Sequence, residues 1–156
     1  MDPSEFRRIL GHWSTGVAVV ATRVAGRPWG LTANAFASVS LEPPLVLVCV
    51  DLGADTHDGL GESGLFAVSV LAADQERLAR HFAASAVADK FEGVAWREEV
   101  TGAPVLEEAV AWLDCRLWAR YPAGDHTIFV GQVVAGDAAE RAPLLYYRGG
   151  YARLSP

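Results

Sequence analysis

Between Gly30 and Pro44 the chain reads Gly-Leu-Thr-Ala-Asn-Ala-Phe-Ala-Ser-Val-Ser-Leu-Glu-Pro-Pro. Four short polar side chains, Thr32, Asn34, Ser38 and Ser40, stand among small residues and one aromatic, Phe36. Hydroxyls, an amide and a backbone with few bulky neighbours can come close to a flat ligand with a polar edge. No charge appears before Glu42, so an anion held in this segment is held by dipoles. The double proline Pro43-Pro44 then leads into an apolar strand.

Little else in the chain competes for chemistry. There is no phosphate-binding P-loop, and no Gly-x-Gly-x-x-Gly passes from a strand into a helix. No Cys-x-x-Cys or His-x-x-x-His spacing occurs, so no metal site is expected. A Gly-x-Ser-x-Gly hydrolase elbow is also absent. Of the four histidines (His12, His57, His81, His126), His126 follows Gly124-Asp125 in a predicted turn, where an exposed tip can reach a ligand. Lys90 is the one lysine among 13 basic residues. It is either a compact ammonium placed at a phosphate or a solvated surface lysine.

Composition bounds the class. At 156 residues with 51% hydrophobic content, the chain reads as a single folded domain spanning 1–156. A net charge of −6 argues against a nucleic-acid partner and against a polybasic membrane surface. The N-terminus Met1-Asp2-Pro3-Ser4-Glu5 is acidic and lacks an apolar signal region. Cys49 and Cys115 lie in apolar strand-like sequence and read as two reduced, buried thiols of a cytoplasmic protein.

The elements that must position these residues are mostly strands. Residues 2–12 predict a short helix, with Asp2 as cap, Pro3 in its first turn, Glu5 as capping-box acid and an apolar face of Phe6, Ile9 and Leu10. Strands are expected at 16–22 and from Trp29, joined by a turn over 25–28. The continuous apolar run Leu45–Asp51 predicts a strand buried on both faces, and Leu65–Leu71 another. Short helices are expected at 54–63 and at 74–83, the second capped by Asp74 with Leu78 and Phe82 on one face. Residues 85–104 read as irregular. Strands return at 111–121, with Trp112, Asp114, Arg116 and Trp118 opposite Leu113, Cys115 and Leu117. Further strands follow a turn at 122–126, at 127–134, 144–147 and 151–154. Six or seven strands with short turns predict antiparallel pairing and a closed or half-closed barrel.

The segment 30–44 resembles the signature of the short-chain flavin reductases, the reductase components of two-component flavin-dependent monooxygenases. Phe66–Leu71, Asp89-Lys90-Phe91, Gly124–Gly131 and Pro143–Tyr151 agree with that family in order, so the resemblance spans roughly 5–154. It implies a mainly β, antiparallel Greek-key fold, the FMN-binding split β-barrel with a few short flanking helices. It further implies a homodimer with flavin near the subunit interface. Where the family often has Asn, this chain has Ser69, which keeps a hydroxyl and loses the amide.

The resemblance also implies an activity and its residues. The chain would be an NAD(P)H-dependent flavin reductase, passing hydride from NADH or NADPH to FMN or FAD. Reduced flavin would then go to a partner monooxygenase. Thr32, Ala33 and Asn34 would follow the isoalloxazine edge. Ser38, Val39 and Ser40 would meet the ribityl chain or phosphate. Cys49, Val50 and Asp51 would offer backbone, and Ser69, Lys90, Phe91 and Tyr151 would complete the cofactor site. His126 is the expected catalytic residue, positioning the nicotinamide or stabilising charge on reduced flavin. The competing reading on the same fold is a flavin-binding electron carrier or another split-barrel flavoprotein that does not reduce free flavin.

Overall fold

The structure, a computed structural model, describes residues 1–155 and is mainly β, with three short helices. Helix α1 (Pro3–Leu10) begins where expected. Asp2 Oδ1 accepts from the backbone N–H groups of Ser4 (2.8 Å) and Glu5 (3.0 Å), and Pro3 opens the first turn. Its apolar face buries nothing within the chain: Phe6, Ile9 and Leu10 are exposed, and Trp13 just beyond is 75% exposed.

Strands β2 (Ala18–Val24) and β3 (Arg27–Ala33) form a tight hairpin after the two-residue strand β1 (Thr15–Gly16). Ala25 and Gly26, at φ 49° and 79°, form the two-residue turn, the geometry that matches the twist of paired strands. β4 (Phe36–Leu41) and β5 (Pro44–Asp51) pair across a turn whose Glu42–Pro43 peptide is cis. With β6 (Leu65–Val70), β9 (Ala111–Ala123) and β10 (His126–Ala138) they make one antiparallel sheet. Its order is β3-β2-β6-β9-β10-β5-β4. Among the described residues β3 and β4 remain edge strands, so no closed barrel is seen and that half of the expectation is corrected.

Two smaller sheets accompany it. One joins β1 to β11 (Leu144–Tyr147) and β12 (Gly150–Arg153). The other pairs β7 (Trp96–Glu98) with β8 (Pro104–Leu106), in a segment expected to be irregular. These short strands are fixed from outside. Buried Asp114 accepts the backbone N–H (2.7 Å) and hydroxyl of Thr101, and Ser69 Oγ accepts from Leu106 N at 3.0 Å. A buried carboxylate is tolerated when it is hydrogen-bonded in this way.

β2 explains why the molecule has two cores. Ala18 and Val20 pack on one side with Val46, Val48, Phe66 and Phe129, under Leu60 of α2 (Thr56–Ser63). Val17, Val19 and Ala21 pack on the other with Leu71, Phe91, Leu106 and Leu144, under Phe82 of α3 (Glu76–Ala83). Each fully buried side chain of this size contributes about 1.5–3 kcal/mol. β5 differs from its expectation: Val46, Val48 and Val50 are buried, whereas Leu45, Leu47 and Cys49 are only partly covered. One face of β5 belongs to the core and the other does not. The cap of α3 is also corrected, because Gln75 occupies that position while Asp74 pairs with Arg141 (2.9 Å). No helix among the described residues is long and apolar enough to cross a membrane.

Candidate functional site

The last residues of β3 meet the ends of β5 and α3 around a cleft of about 360 Å³. Leu31 to Ala35 form one wall. Cys49, Asp51 and the turn into α2 (Gly53 to Thr56) form another, and Phe82, Ala83, Ser85, Lys90 and His126 close the rest. The small side chains of 30–35 keep this wall thin. Gly30 shows the constraint most clearly: a Cβ there would lie 3.1 Å from Phe91 and 3.2 Å from Phe82.

Each polar group on the cleft has a local reason for its place. Thr32 Oγ1 donates to the Ala79 carbonyl of α3 at 2.6 Å, tying the β3 end to that helix. Asn34 is exposed, and among the described residues its amide makes no hydrogen bond within the chain. Asp51 accepts from Gly53 N at 2.7 Å and shapes the turn into α2. Asp89 accepts from Phe91 N at 3.0 Å, and the buried Phe91 ring packs edge-on against Phe82 and Trp96. Held on both sides, Lys90 is left on the cleft wall, and its Nζ donates to the Phe82 carbonyl at 3.0 Å. Burial lowers the Lys90 pKa from the usual lysine value, and the nearby Asp55 carboxylate opposes that shift.

His126 is the first residue of β10, paired with Asp51 and Ala123, so it sits at a strand start and not within the turn. The turn itself is Gly124-Asp125, with Gly124 at φ 65°. Nδ1 of His126 lies 2.6 Å from Asp125 Oδ1. That hydrogen bond, followed by the imidazole charge, holds the Asp125 carboxyl below its ordinary range. The Cys49 thiol on the cleft is half-buried, and burial raises its pKa. Cys115 lies in the core, where burial and then Asp114 push it up to about 12. Both thiols are free.

The expected site residues therefore divide. Thr32, Ala33, Asn34, Cys49, Asp51, Lys90 and His126 share the cleft. Phe91 stands one layer behind it. Tyr151 lines an adjoining recess of about 190 Å³ with Val17, Thr32, Asn34, Ala83 and Tyr146. Ser38, Val39 and Ser40 lie along edge strand β4, away from the cleft. Val50 and Ser69 turn into the core, and the Ser69 hydroxyl is occupied by the Leu106 N–H. His57 is likewise engaged elsewhere, with Thr127 Oγ1 (2.7 Å) and Asp58 (2.8 Å). The cleft residues Gly53 to Thr56, Phe82, Ala83 and Ser85 escaped the sequence reading. They come from two helix ends that only the folded chain brings together.

The cleft is suited to an uncharged planar ring along its small-residue wall, with one ammonium, one imidazole and the carboxylates of Asp51 and Asp55 elsewhere on its lining. Among the described residues no cluster of His, Cys, Asp or Glu could hold a metal ion. Residues 10–155 match the family described as flavin reductase like domain. The chain is 44% identical over 160 residues to an NADH-dependent FAD reductase of Streptomyces globisporus, covering 99% of this chain and 87% of that one. It is 39% identical over 157 residues to the reductase subunit HsaB of a flavin-dependent monooxygenase from Rhodococcus jostii, covering 100% and 80%. Among solved structures, the Streptomyces globisporus NADH:FAD oxidoreductase SgcE6 with NAD and FAD fragments superimposes with a TM-score of 0.94. That match has 44% identity and covers 99% of this chain and 94% of that one.

Proposed function

The chain belongs to the flavin reductase like domain family, and on that footing we propose that it is an NADH-dependent flavin reductase supplying reduced flavin to a partner monooxygenase. The observation that carries this reading is the cleft itself. A thin, uncharged wall from Leu31 to Ala35 faces Lys90 and His126 across about 360 Å³. The fit to a flavin is chemical as well as spatial, because the free Asn34 amide and the exposed backbone beside it match a ring edge of alternating donors and acceptors. The relatives' names add NADH as donor and FAD as acceptor.

A bound flavin supplies the hydride acceptor, and a nicotinamide dinucleotide supplies the hydride. The chain's own work is binding and orientation. Thr32, Ala33 and Asn34 run along the ring, with Cys49 and Asp51 across from them. Lys90 is the cation available to a flavin phosphate; it exchanges its bond to the Phe82 carbonyl for the phosphate. His126, tethered through Nδ1, presents Nε2 to the nicotinamide side and stabilises negative charge on the reduced ring. Two rings stacked in register need no strong acid or base, which accounts for the absence of any such constellation.

The rest of the reading follows the same course. The chain works as one domain, a split barrel, in the cytoplasm and as a homodimer. The exposed apolar face of α1 (Phe6, Ile9, Leu10) with Trp13 is the surface that supports pairing, since monomers seldom leave such a patch open. NADH or NADPH oxidation measured with added FAD, FMN or riboflavin tests the proposal. Turnover with NADH and FAD is expected, and no turnover with any combination refutes it.

A further inference from the structure

Helix α2 begins at the rim of the cleft, and one of its side chains reaches across to the strand that carries His126. His57 directly follows the turn Gly53 to Thr56, which lines one wall. Its Nε2 lies 2.7 Å from Thr127 Oγ1, and its Nδ1 lies 2.8 Å from Asp58 Oδ1. The Asp58 carboxylate can only accept, so Nδ1–H donates to it and Nε2 accepts from the Thr127 hydroxyl. The imidazole also meets Phe129 of the core edge-on, with ring centroids 5.4 Å apart. His57 and Thr127 both lie outside the cleft lining.

We propose that His57 is a positioning residue, which through the Thr127 hydroxyl fixes His126 against the 53–56 wall; this rests on the reductase reading and on the role of His126 in it. Other ties of α2 lie further along the helix. Gly59 packs so closely on β2 that a Cβ there would stand 2.9 Å from Val24 Cγ2, and Ser63 Oγ lies 2.6 Å from Thr22 Oγ1. The start of the helix lacks a side-chain cap, because Asp55 makes no such bond. Leu52 N donates to the Asp125 carbonyl at 3.0 Å, but that bond holds the end of β5 to the β9–β10 turn and not α2. The first turn of α2 is therefore fastened to β10 by His57. Successive strand residues point to opposite faces, so Thr127 turns inward beneath α2 while His126 turns to the cleft. A hydroxyl held on the inner face sets the backbone from which the imidazole projects on the other. Thr127 is buried, so its hydroxyl has no easy exchange with water, and losing its partner there carries a desolvation cost.

A double-mutant cycle tests it. Thr127→Val removes the hydroxyl at constant shape, and His57→Phe removes both nitrogens while keeping a ring against Phe129. Each is expected to lower kcat/KM for NADH by about tenfold, part of what a fully misplaced group loses. Thr127→Ser keeps the hydroxyl and His57→Gln keeps an acceptor, and both are expected to remain near wild type. In the His126→Ala background, Thr127→Val is expected to change kcat/KM by less than about twofold, because residues that act through one another are not additive. Wild-type kcat/KM in both Thr127→Val and His57→Phe overturns the proposal. An undiminished loss in the His126→Ala background also overturns it, since the bond would then be purely structural. NMR of the histidine rings in the flavin-free protein needs no turnover and separates this proposal from the reductase reading. His126 ring resonances displaced in His57→Phe and restored in His57→Gln support the positioning role even in an inactive protein; a ring-current effect alone gives the opposite order. His126 resonances unmoved in His57→Phe overturn it.

Discussion

Nδ1 of His126 lies 2.6 Å from Oδ1 of Asp125, its neighbour in the β9–β10 turn. The imidazole is tethered by one nitrogen, and the other is left for the cleft it lines. On the proposed role, His126→Ala lowers kcat/KM for NADH by about 10²-fold, the scale of a lost positioning contact. Asp125→Asn keeps an acceptor and removes the charge, so its loss is several times smaller, while flavin affinity stays near wild type. The folded-state carboxyl is depressed, so the tether is intact above the ordinary carboxylate range. Its contribution is lost only as pH falls through the lower folded value. Steady-state kinetics of both variants against NADH check this.

Lys90→Met separates binding from folding. The lysine is partly desolvated in the folded chain, which lowers its pKa. The sign of the linkage is therefore unfavourable. The cost of keeping this ammonium charged is fully present below the folded pKa and vanishes above the unfolded one. Removing it is expected to leave the thermal midpoint unchanged or slightly raised at neutral pH. Affinity for FMN and FAD falls about tenfold or more, because charge-assisted contacts to phosphate are among the stronger ones. Affinity for riboflavin, which lacks the phosphate, is unaffected. Equal losses for FMN and riboflavin would contradict the phosphate role.

The two thiols should differ in reactivity. Cys49 is half-buried on the cleft, while Cys115 is buried with its pKa pushed up to about 12. Since the thiolate is the reactive form, one thiol per native chain reacts with an alkylating reagent at mildly alkaline pH, and mass spectrometry maps it to Cys49. Saturating FAD slows that reaction if the flavin lies against β5. Labelling of Cys115 in the native protein would contradict the placement of the core.

Gly131 allows β10 to pass Phe66. A Cβ at that position would overlap the Phe66 ring at Cζ and lie 2.9 Å from the Cys115 Cβ. Both neighbours are fully buried and cannot withdraw. Gly131→Ala is expected to destabilise the fold by about 1–3 kcal/mol, as overpacking does. That lowers the thermal midpoint by roughly 2–4 °C per kcal/mol for a domain of this size. Calorimetry or a dye-based melt measures it.

The contrast between the Asp2 cap and the Asp114–Thr101 contact shows what was legible in the sequence. Local chemistry was readable: the Asp2 cap, the turn at Ala25-Gly26 and the strand periods emerge from neighbouring residues alone. The small-residue segment pointed to the cleft for the same reason, because a thin wall is a local property. Contacts made by distant residues were not readable. The buried Asp114–Thr101 pair that orders β7 and β8 joins positions with no shared pattern. Leu45–Asp51 misled in the same way: its apolar run suggests two buried faces, but Cys49 faces a cleft formed by residues far along the chain.

The most direct test is anaerobic mixing of the purified protein with NADH and FAD. The account predicts that each NADH consumed bleaches one FAD, with the reduced flavin recovered free in solution. Unchanged NADH and FAD absorbance beside a protein that still binds flavin would contradict it and would favour an electron carrier.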